Sequence, residues 1–194
     1  MRPPDEDGYE LWLRYRPLRD TALVERYREQ LRSVVALRSN PTLDAAVHEL
    51  SRGLSGLLGS EVGIGRDAEA PGALVLGQRG EAALAAFEPP KHPPELGRDG
   101  FLLQAASVAG GPRIGILGSS DLGVLYGAFH LLRLLQCSKD IERLSTWSRP
   151  RTALRVLDHW DNLDRSVERG YAGFSLWNWH ALPHYKDPRY VDYA

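Results

Sequence analysis

The segment that decides the fold is GILGSSDLGVLYGAFHLLRLLQ, residues 115–136. A short apolar run typical of a buried strand is followed by two serines, an aspartate and then apolar residues at helical spacing. Ser119 or Ser120 can cap this helix, and Asp121 lies at the positive end of its dipole. Two glycines inside the helix predict a close approach to a sheet. The predicted apolar face comprises Leu122, Leu125, Phe129, Leu132 and Leu135.

The sequence before this segment alternates between helical and strand patterns. Residues 9–15 alternate with period two and predict a half-buried strand, whereas apolar spacing predicts a helix over residues 20–38. A second helix is predicted to begin at Pro41, capped by Asn40, and to end at Gly59. Three short apolar runs predict further strands: Ala73–Leu76, Gly100–Val108 and Arg113–Leu117. The predicted fold class is therefore α/β, with a small sandwich of helices on a sheet.

The overall composition excludes several classes of partner. Hydrophobic residues make up 43% of the chain and charged residues 25%, as in soluble globular proteins. The net charge of −1 argues against nucleic acid or an anionic membrane as a partner. The N-terminal residues lack the apolar core of a secretory signal, and no apolar run approaches the roughly 20 residues of a membrane helix. A cytoplasmic location is expected.

A polar segment divides the chain into two predicted domains. Residues 137–152, CSKDIERLSTWSRPRT, are polar and interrupted by Pro150, which is typical of a domain boundary. The run ALRVL at 153–157 then predicts a new strand. We therefore expect an N-terminal α/β domain over residues 1–148 and a second domain that begins with residues 149–194. Cys137, at the end of a helix, is expected to be buried and inert.

Motifs for cofactors and metals are missing from the sequence. No glycine pattern matches a phosphate-binding loop, so ordinary turns are predicted there. His180 and His184 are four residues apart, but Pro183 between them breaks the helical turn that a zinc motif requires. The stretch DNLDRSVE fails the calcium-loop pattern because leucine occupies its third position. We predict neither a cofactor nor a metal.

The stretch DHWDN, residues 158–162, is the strongest candidate for a site. It follows directly on a predicted strand, and in parallel barrels the loops at the strand ends converge on one cavity. Trp160 offers a flat apolar face with a hydrogen-bonding edge, and Asp161 and Asn162 supply acceptors and donors, which together suit a sugar. The alternative is packing under a barrel rim, which we favour for Trp177 and Trp179.

Three segments carry a resemblance to a known family. LRVLDHWDNLDRSVERGYAGFSLWNW, residues 154–179, resembles the entry into the catalytic barrel of the α-glucuronidases of glycoside hydrolase family 67. EDGYELWLRYRPL, residues 6–18, is similar to the start of that family's N-terminal domain. GVLYGAFHLLRLLQ, residues 123–136, resembles the closing helix of that domain, which is shared with hexosaminidase-type accessory domains. Asp158 stands where the family pattern has asparagine, so no role is carried over to it.

The resemblance implies an enzyme that removes (4-O-methyl-)glucuronic acid, joined by an α-1,2 bond, from xylo-oligosaccharides with inversion. Trp160, Asp161 and Asn162 would form part of the sugar-pocket wall, and Glu168 and Arg169 would either line the pocket or fix its loop by an ion pair. The resemblance places the catalytic carboxylates on later barrel strands, so no catalytic residue is expected here. It also implies that the full-length protein is a homodimer.

The short tail after Pro150 bears on which function is expected. A (β/α)8 barrel needs about 250 residues, so residues 149–194 are expected to hold only its first strand and loop. The chain would then be an inactive fragment of an α-glucuronidase that acts in xylan breakdown. Two alternatives stay open: a non-catalytic carbohydrate-binding or scaffolding domain, and the accessory domain of another glycosidase.

Overall fold

The computed structural model describes residues 14–88, 95–108, 111–156, 178, 180–188 and 190. The chain divides into two compact units, and one of them spans Arg14–Arg151. This unit contains every helix and strand described below. The other unit includes the described residues from Thr152 onward.

Within the described ranges, six strands form one sheet in the order β2-β1-β3-β5-β4-β6. Strands β2, β1, β3 and β5 run parallel, and β4 runs antiparallel to both β5 and β6. The strands are β1 Ser33–Ala36, β2 Gly63–Ile64, β3 Ala73–Gln78, β4 Phe101–Val108, β5 Gly111–Gly118 and β6 Ser145–Ser148. The helices are α1 Thr21–Gln30, α2 Pro41–Leu58 and α3 Asp121–Gln136, with a 3-10 helix at Ala82–Phe87. This confirms a mixed α/β architecture, and the three strands predicted from apolar runs are β3, β4 and β5.

The single helix predicted over residues 20–38 is wrong. Helix α1 ends at Gln30, and Val34 and Val35 lie in β1, where each is almost fully buried. A parallel strand that is covered on both faces has consecutive apolar residues in its sequence. The two valines of β1 happen to continue the helical spacing of the apolar residues of α1. The described residues 14–18 are not in a strand, and the rest of the strand predicted at 9–15 lies outside the described residues.

Helix α2 confirms the predicted bounds and caps. The Asn40 side-chain oxygen accepts hydrogen bonds from the backbone N–H groups of Thr42 and Leu43, both at 3.1 Å. Pro41 occupies the first turn, where its missing N–H costs nothing. Gly59 follows the helix with φ of 63°, a left-handed conformation that glycine adopts without strain.

Helix α3 is capped by Ser120, whose Oγ accepts from the Gly123 N–H at 3.1 Å. The predicted close approach is confirmed at both helical glycines. A Cβ on Gly123 would lie 2.4 Å from the Gly100 carbonyl oxygen, and one on Gly127 would lie 2.6 Å from Ile116 Cγ2. Glycine at these positions lets the helix backbone touch the sheet.

The predicted apolar face of α3 is wrong at two positions. Leu122 and Phe129 are 37% and 39% exposed. The buried face instead follows the two glycines, because the side of the helix without Cβ atoms is the side that can reach the sheet. Its members are Gly123, Val124, Gly127, Ala128, Leu131, Leu132 and Leu135.

The two faces of the sheet are covered differently. Ile116 points to α3, so the neighbouring Gly115 opens onto the opposite face, where a Cβ would lie 2.6 Å from Phe87 Cγ. Phe87 belongs to the 3-10 helix, so this short helix and its loops cover the face opposite α3. The core cluster there comprises Val35, Ala73, Val75, Leu84, Phe87, Leu96, Leu102 and Leu117.

Two tyrosine hydroxyl groups tie distant segments to the helices. Tyr15 donates to the Glu49 carboxylate on α2, and burial followed by this hydrogen bond raises the pKa of the Tyr15 phenol well above its ordinary value. Tyr27 of α1 donates to the backbone carbonyl of Lys139, and its pKa rises to about 12, chiefly because of burial. Both phenols therefore stay protonated donors at neutral pH.

His130 on α3 makes the unfolding free energy depend on pH. Its ring lies 5.2 Å from the Phe101 ring, and burial, followed by the positive charge of Arg133, lowers its pKa below 6.5. As the pH falls, the imidazole of His130 is therefore protonated at a higher pH in the unfolded chain than in the folded protein. We expect the contribution of His130 to stability to be constant above about pH 6.5 and to fall as the pH drops through the range between its unfolded and folded pKa values.

Urea denaturation at a series of pH values measures this effect. In the His130→Gln variant, the free energy of unfolding should fall less steeply as the pH drops below about 6.5. The His48→Gln variant, which lacks an exposed histidine of α2, should keep the steeper fall. If the pH dependence of the unfolding free energy is unchanged in His130→Gln, His130 is not its cause.

The segment interpreted as a polar boundary contains an additional strand. Residues 145–148 form β6, in which Trp147 is paired with Leu102 of β4. Ile141 and Leu144 before it are buried. Cys137, predicted to be buried, is exposed. The helix presents this residue at its C-terminal cap, beyond the last buried turn.

The strand predicted at 153–157 is not seen in its described part. Residues 153–156 lie in no strand, and Leu154 and Val156 are 77% and 74% exposed. Residue 157 lies outside the described residues. The prediction of a first barrel strand therefore lacks support here. No helix in the described ranges is both long and apolar enough to cross a membrane.

Limited trypsin digestion is expected to cut after Arg151 or Arg155 and to leave a stable N-terminal product. Residues 151–156 are all exposed, whereas β6 just before them is held by its ladder with β4. The bond after Arg149 is protected because Pro150 follows it. Mass spectrometry of the product gives its C-terminus. A first cut after Arg133 in α3, or after Arg143 just before β6, would contradict this expectation.

Candidate functional site

The five predicted sugar-binding residues lie outside the described residues. They are Trp160, Asp161, Asn162, Glu168 and Arg169. Their predicted arrangement, as a pocket wall or as a loop fixed by an ion pair, therefore stays a prediction. Asp158, Trp177 and Trp179 fall outside the described residues as well.

The described residues near the C-terminus form a short turn. His180 and His184 both lie in the turn at 180–184, and the Tyr185 N–H bonds to the Ala181 carbonyl at 2.9 Å. The Asn178 N–H donates to the Tyr190 hydroxyl at 3.0 Å. In the part of the chain that the structure describes, no group of three or more His, Cys, Asp or Glu side chains is placed to hold a metal ion.

A cluster of polar side chains lies where the parallel strands end. Arg38 and Asn40 follow β1, and Gln78 is the last residue of β3. Asp121 is the first residue of α3, which follows β5. Because β1, β3 and β5 are adjacent and parallel, their carboxyl ends bring these side chains together.

The Asp121 carboxylate is the centre of this cluster. Its Oδ1 accepts from Gln78 Nε2 at 2.9 Å and from the Arg38 guanidinium at 3.2 Å, and its Oδ2 accepts from Asn40 Nδ2 at 3.0 Å. Glu81 adds a second carboxylate, which lies 3.1 Å from the Arg38 guanidinium and accepts from the Gln78 N–H at 2.7 Å.

This edge of an α/β sheet is where ligands often bind, because helix N-termini and loops converge there. Here the carboxylate of the protein itself occupies that position and takes up the donors of Arg38, Asn40 and Gln78. The cluster therefore stabilises the junction of β1, β3, α2 and α3. Local sequence patterns place Asp121 only at a helix dipole and do not predict the cluster. Its signal is the pair of helix caps at Asn40 and Ser120, which follow the parallel strands on either side of β3.

Replacing Asp121 by alanine is expected to destabilise the protein by about 1–2 kcal/mol. The variant loses hydrogen bonds to a charged acceptor and a favourable helix-dipole contact, and it leaves the amides of Asn40 and Gln78 with fewer partners. The side chain is 28% exposed, so solvent screens part of the effect. Urea denaturation gives the change in unfolding free energy.

Asp44→Ala is the matched control for this prediction. Asp44 also lies in the first turn of a helix, but within the described ranges its side chain accepts only from the exposed Ser39 hydroxyl. Its loss should cost clearly less than that of Asp121. Equal losses in the two variants would mean that the helix dipole, and not the cluster, accounts for the effect of Asp121.

Comparisons with known proteins identify two family regions in the chain. Residues 11–131 match the family description "Glycosyl hydrolase family 67 N-terminus". Residues 134–194 match "Glycosyl hydrolase family 67 middle domain". The first match covers β1 to β5 and the helices up to most of α3, and the second begins near the end of α3 and includes β6.

Several curated fungal proteins are similar to the chain. "Alpha-glucuronidase A" of Emericella nidulans is 36% identical over 186 residues, which cover 90% of this chain and 21% of that protein. "Probable alpha-glucuronidase A" of Aspergillus oryzae is 32% identical over 173 residues, covering 88% and 20%. "Alpha-glucuronidase A" of Aspergillus tubingensis is 29% identical over 175 residues, with the same coverage. The chain thus spans about a fifth of the length of these relatives.

Proposed function

The chain belongs to glycosyl hydrolase family 67, and from this membership we propose that it forms part of an α-glucuronidase. The proposed reaction is hydrolysis of the α-1,2 bond between (4-O-methyl-)glucuronic acid and a xylo-oligosaccharide, with inversion. The observation that carries the proposal is the match of two consecutive family regions over residues 11–131 and 134–194. The relatives named α-glucuronidase support it further.

We propose that residues 1–148 form an accessory α/β domain and that residues 149–194 begin the catalytic barrel. The division of the chain into units near Thr152 supports a boundary there. The exposure of Leu154 and Val156 also fits this division, since a barrel strand needs neighbours on both edges and both faces to bury such residues.

Within that barrel we propose that Trp160, Asp161 and Asn162 bind the sugar. The indole face covers the apolar face of a pyranose ring, and the carboxylate and amide groups bond to its hydroxyl groups. Glu168 and Arg169 either line the same pocket or pair to hold its loop. The guanidinium of Arg169 can also bind the substrate carboxylate by two parallel hydrogen bonds.

The proposed chemistry assigns binding, and not proton transfer, to these residues. An inverting glycosidase needs one carboxylic acid on the leaving oxygen and one carboxylate on a water molecule, roughly 6.5–9.5 Å apart. The family resemblance assigns both groups to later barrel strands. Asp161 and Glu168 are therefore proposed to orient the sugar, so residues 1–194 alone should not release uronic acid.

The test compares this chain with the product of the whole reading frame that contains it. Both proteins are incubated with a xylo-oligosaccharide carrying glucuronic acid at its terminal xylose, and released uronic acid is measured. NMR of the product during the first minutes gives the anomer formed. We expect release only by the whole-frame protein, with an inverted anomer.

Other outcomes identify the competing functions. Binding of the oligosaccharide without release, by both proteins, would favour a carbohydrate-binding or scaffolding domain. Release of a neutral sugar from a different glycoside would favour the accessory domain of another glycosidase. Release of glucuronic acid by residues 1–194 alone would contradict the assignment of the catalytic carboxylates to later strands.

A further inference from the structure

A recess of about 380 Å³ lies beside β6, the outermost strand of the sheet. Among the residues that the structure describes, its lining comprises Trp147, Ser148, Arg149 and Arg151. The volume falls within the ~300–1,000 Å³ range of small-molecule pockets. All four residues belong to the Arg14–Arg151 unit, and no step of the proposed reaction uses them.

The indole of Trp147 forms the apolar wall of this recess. Trp147 is paired with Leu102 of β4, so its side chain lies on the Leu102 side of the sheet. Leu102 is 2% exposed, whereas Trp147 keeps 51% of its surface in contact with solvent. A flat apolar ring with a donor at its edge matches the face of a sugar ring, which is apolar above and polar around its rim.

Arg149 directly follows β6 and lines the same recess as Trp147. Arg149 contacts Glu95 at 3.4 Å, but the two side chains are 50% and 89% exposed. Such a pair is worth little, and it leaves other donors of the guanidinium available.

Arg151 adds a second guanidinium to the recess. It is exposed, and no acidic side chain among the described residues pairs with it. Two arginines opposite the single carboxylate of Glu95 leave the recess with positive charge. Arginine binds carboxylates by two parallel hydrogen bonds, and its planar group keeps its charge at every relevant pH.

We propose that this recess binds the uronic-acid residue of a glycan. The sugar ring stacks on Trp147, and its carboxylate bonds to Arg149 and Arg151. The proposal deepens the proposed function and rests on it for the nature of the glycan. The recess would hold a substituted chain through a second uronic acid.

Calorimetric titration of the 194-residue chain tests the proposal. The ligands are glucuronic acid, its methyl ester, xylose and inorganic phosphate. Glucuronic acid is expected to bind about tenfold or more tightly than its ester, since charge-assisted hydrogen bonds are lost on esterification. Raising the salt concentration should weaken the binding.

Three variants locate the binding. Trp147→Ala and the double variant Arg149→Ala/Arg151→Ala should each lose about tenfold or more in affinity for glucuronic acid. Arg143→Ala, at an exposed arginine just before β6, should bind as the unmodified chain does. Thermal unfolding of each variant establishes that it is folded, which is expected because all of these side chains are exposed.

Several results would overturn the proposal. They are equal binding of the acid and its ester, unchanged affinity in both the Trp147 and the arginine variants, or binding of phosphate as tight as that of glucuronic acid. Hydrolysis by the whole-frame protein is measured separately. Failure of binding with intact hydrolysis therefore overturns only the recess, and binding without hydrolysis overturns only the proposed enzyme.

Discussion

Replacing Gly123 by alanine is expected to destabilise the protein by about 2–3 kcal/mol. In most helix interiors this change stabilises by up to about 1 kcal/mol, because alanine has the better helix propensity. Here the added Cβ would lie 2.4 Å from the Gly100 carbonyl oxygen. That oxygen also accepts the Ser119 N–H at 3.0 Å, so it cannot move without losing a hydrogen bond. Overpacking against a fixed backbone outweighs the propensity.

Gly53→Ala is the matched control, because it makes the same change within α2. The Cβ there would lie 2.7 Å from Leu132 Cδ2, which is the end of a side chain that can rotate away. Its effect should be close to zero, since the helix propensity offsets the repacking. The free energies of unfolding in urea decide the comparison. If Gly123→Ala is as stable as Gly53→Ala, the contact between α3 and Gly100 is not fixed as described.

The glycines also show why part of the fold could be predicted from the sequence. Helix α2 was found because Asn40, Pro41 and Gly59 act locally, each through its own backbone preference. The close approach of α3 to the sheet is predictable because glycine has a low helix propensity, so Gly123 and Gly127 within a helix indicate a packing requirement. The buried face of α3 was missed, because Leu122 and Phe129 match the helical period as well as the buried residues do.

The elements that were missed depend on distant neighbours. Val34 and Val35 are a strand only because β2 and β3 lie on either side of them, and their spacing continues that of α1. Strand β6 is polar and short, and it is a strand because β4 offers it a free edge. The cluster around Asp121 joins residues 38 to 121, and its contacts follow from the sheet order, which local patterns do not specify.

The candidate site itself rests on the sequence. DHWDN was singled out because bulky and polar groups follow an apolar run, and the family match over residues 134–194 now includes it. The roles proposed for its residues are tested by substitutions in the whole-frame protein. The structure adds the recess at Trp147, which sequence patterns could not indicate, since Trp147 is placed at the sheet edge by the pairing of β6 with β4.

In the whole-frame protein, Trp160→Ala is expected to lower kcat/KM for the substituted xylo-oligosaccharide on the order of 10–100-fold. Truncating an aromatic side chain that covers a bound ligand commonly costs about 2 kcal/mol or more. Uronic-acid release measured over a range of substrate concentrations gives kcat and KM separately. A rise in KM alone would mean that the indole binds substrate and transition state equally, and a fall in kcat would mean that it acts on the distorted ring.

Two further variants separate sugar binding by Trp160 from a role in packing. Trp160→Phe keeps an apolar ring and should recover part of the lost kcat/KM, because it retains a face for the sugar while losing the indole N–H. Phe129→Ala, at an exposed aromatic residue of α3, should leave the kinetics unchanged. The melting temperature of Trp160→Ala should stay close to that of the unmodified protein. Normal kinetics combined with a lowered melting temperature would assign Trp160 to the core beneath the barrel rim, and the sugar pocket would then have to be sought elsewhere.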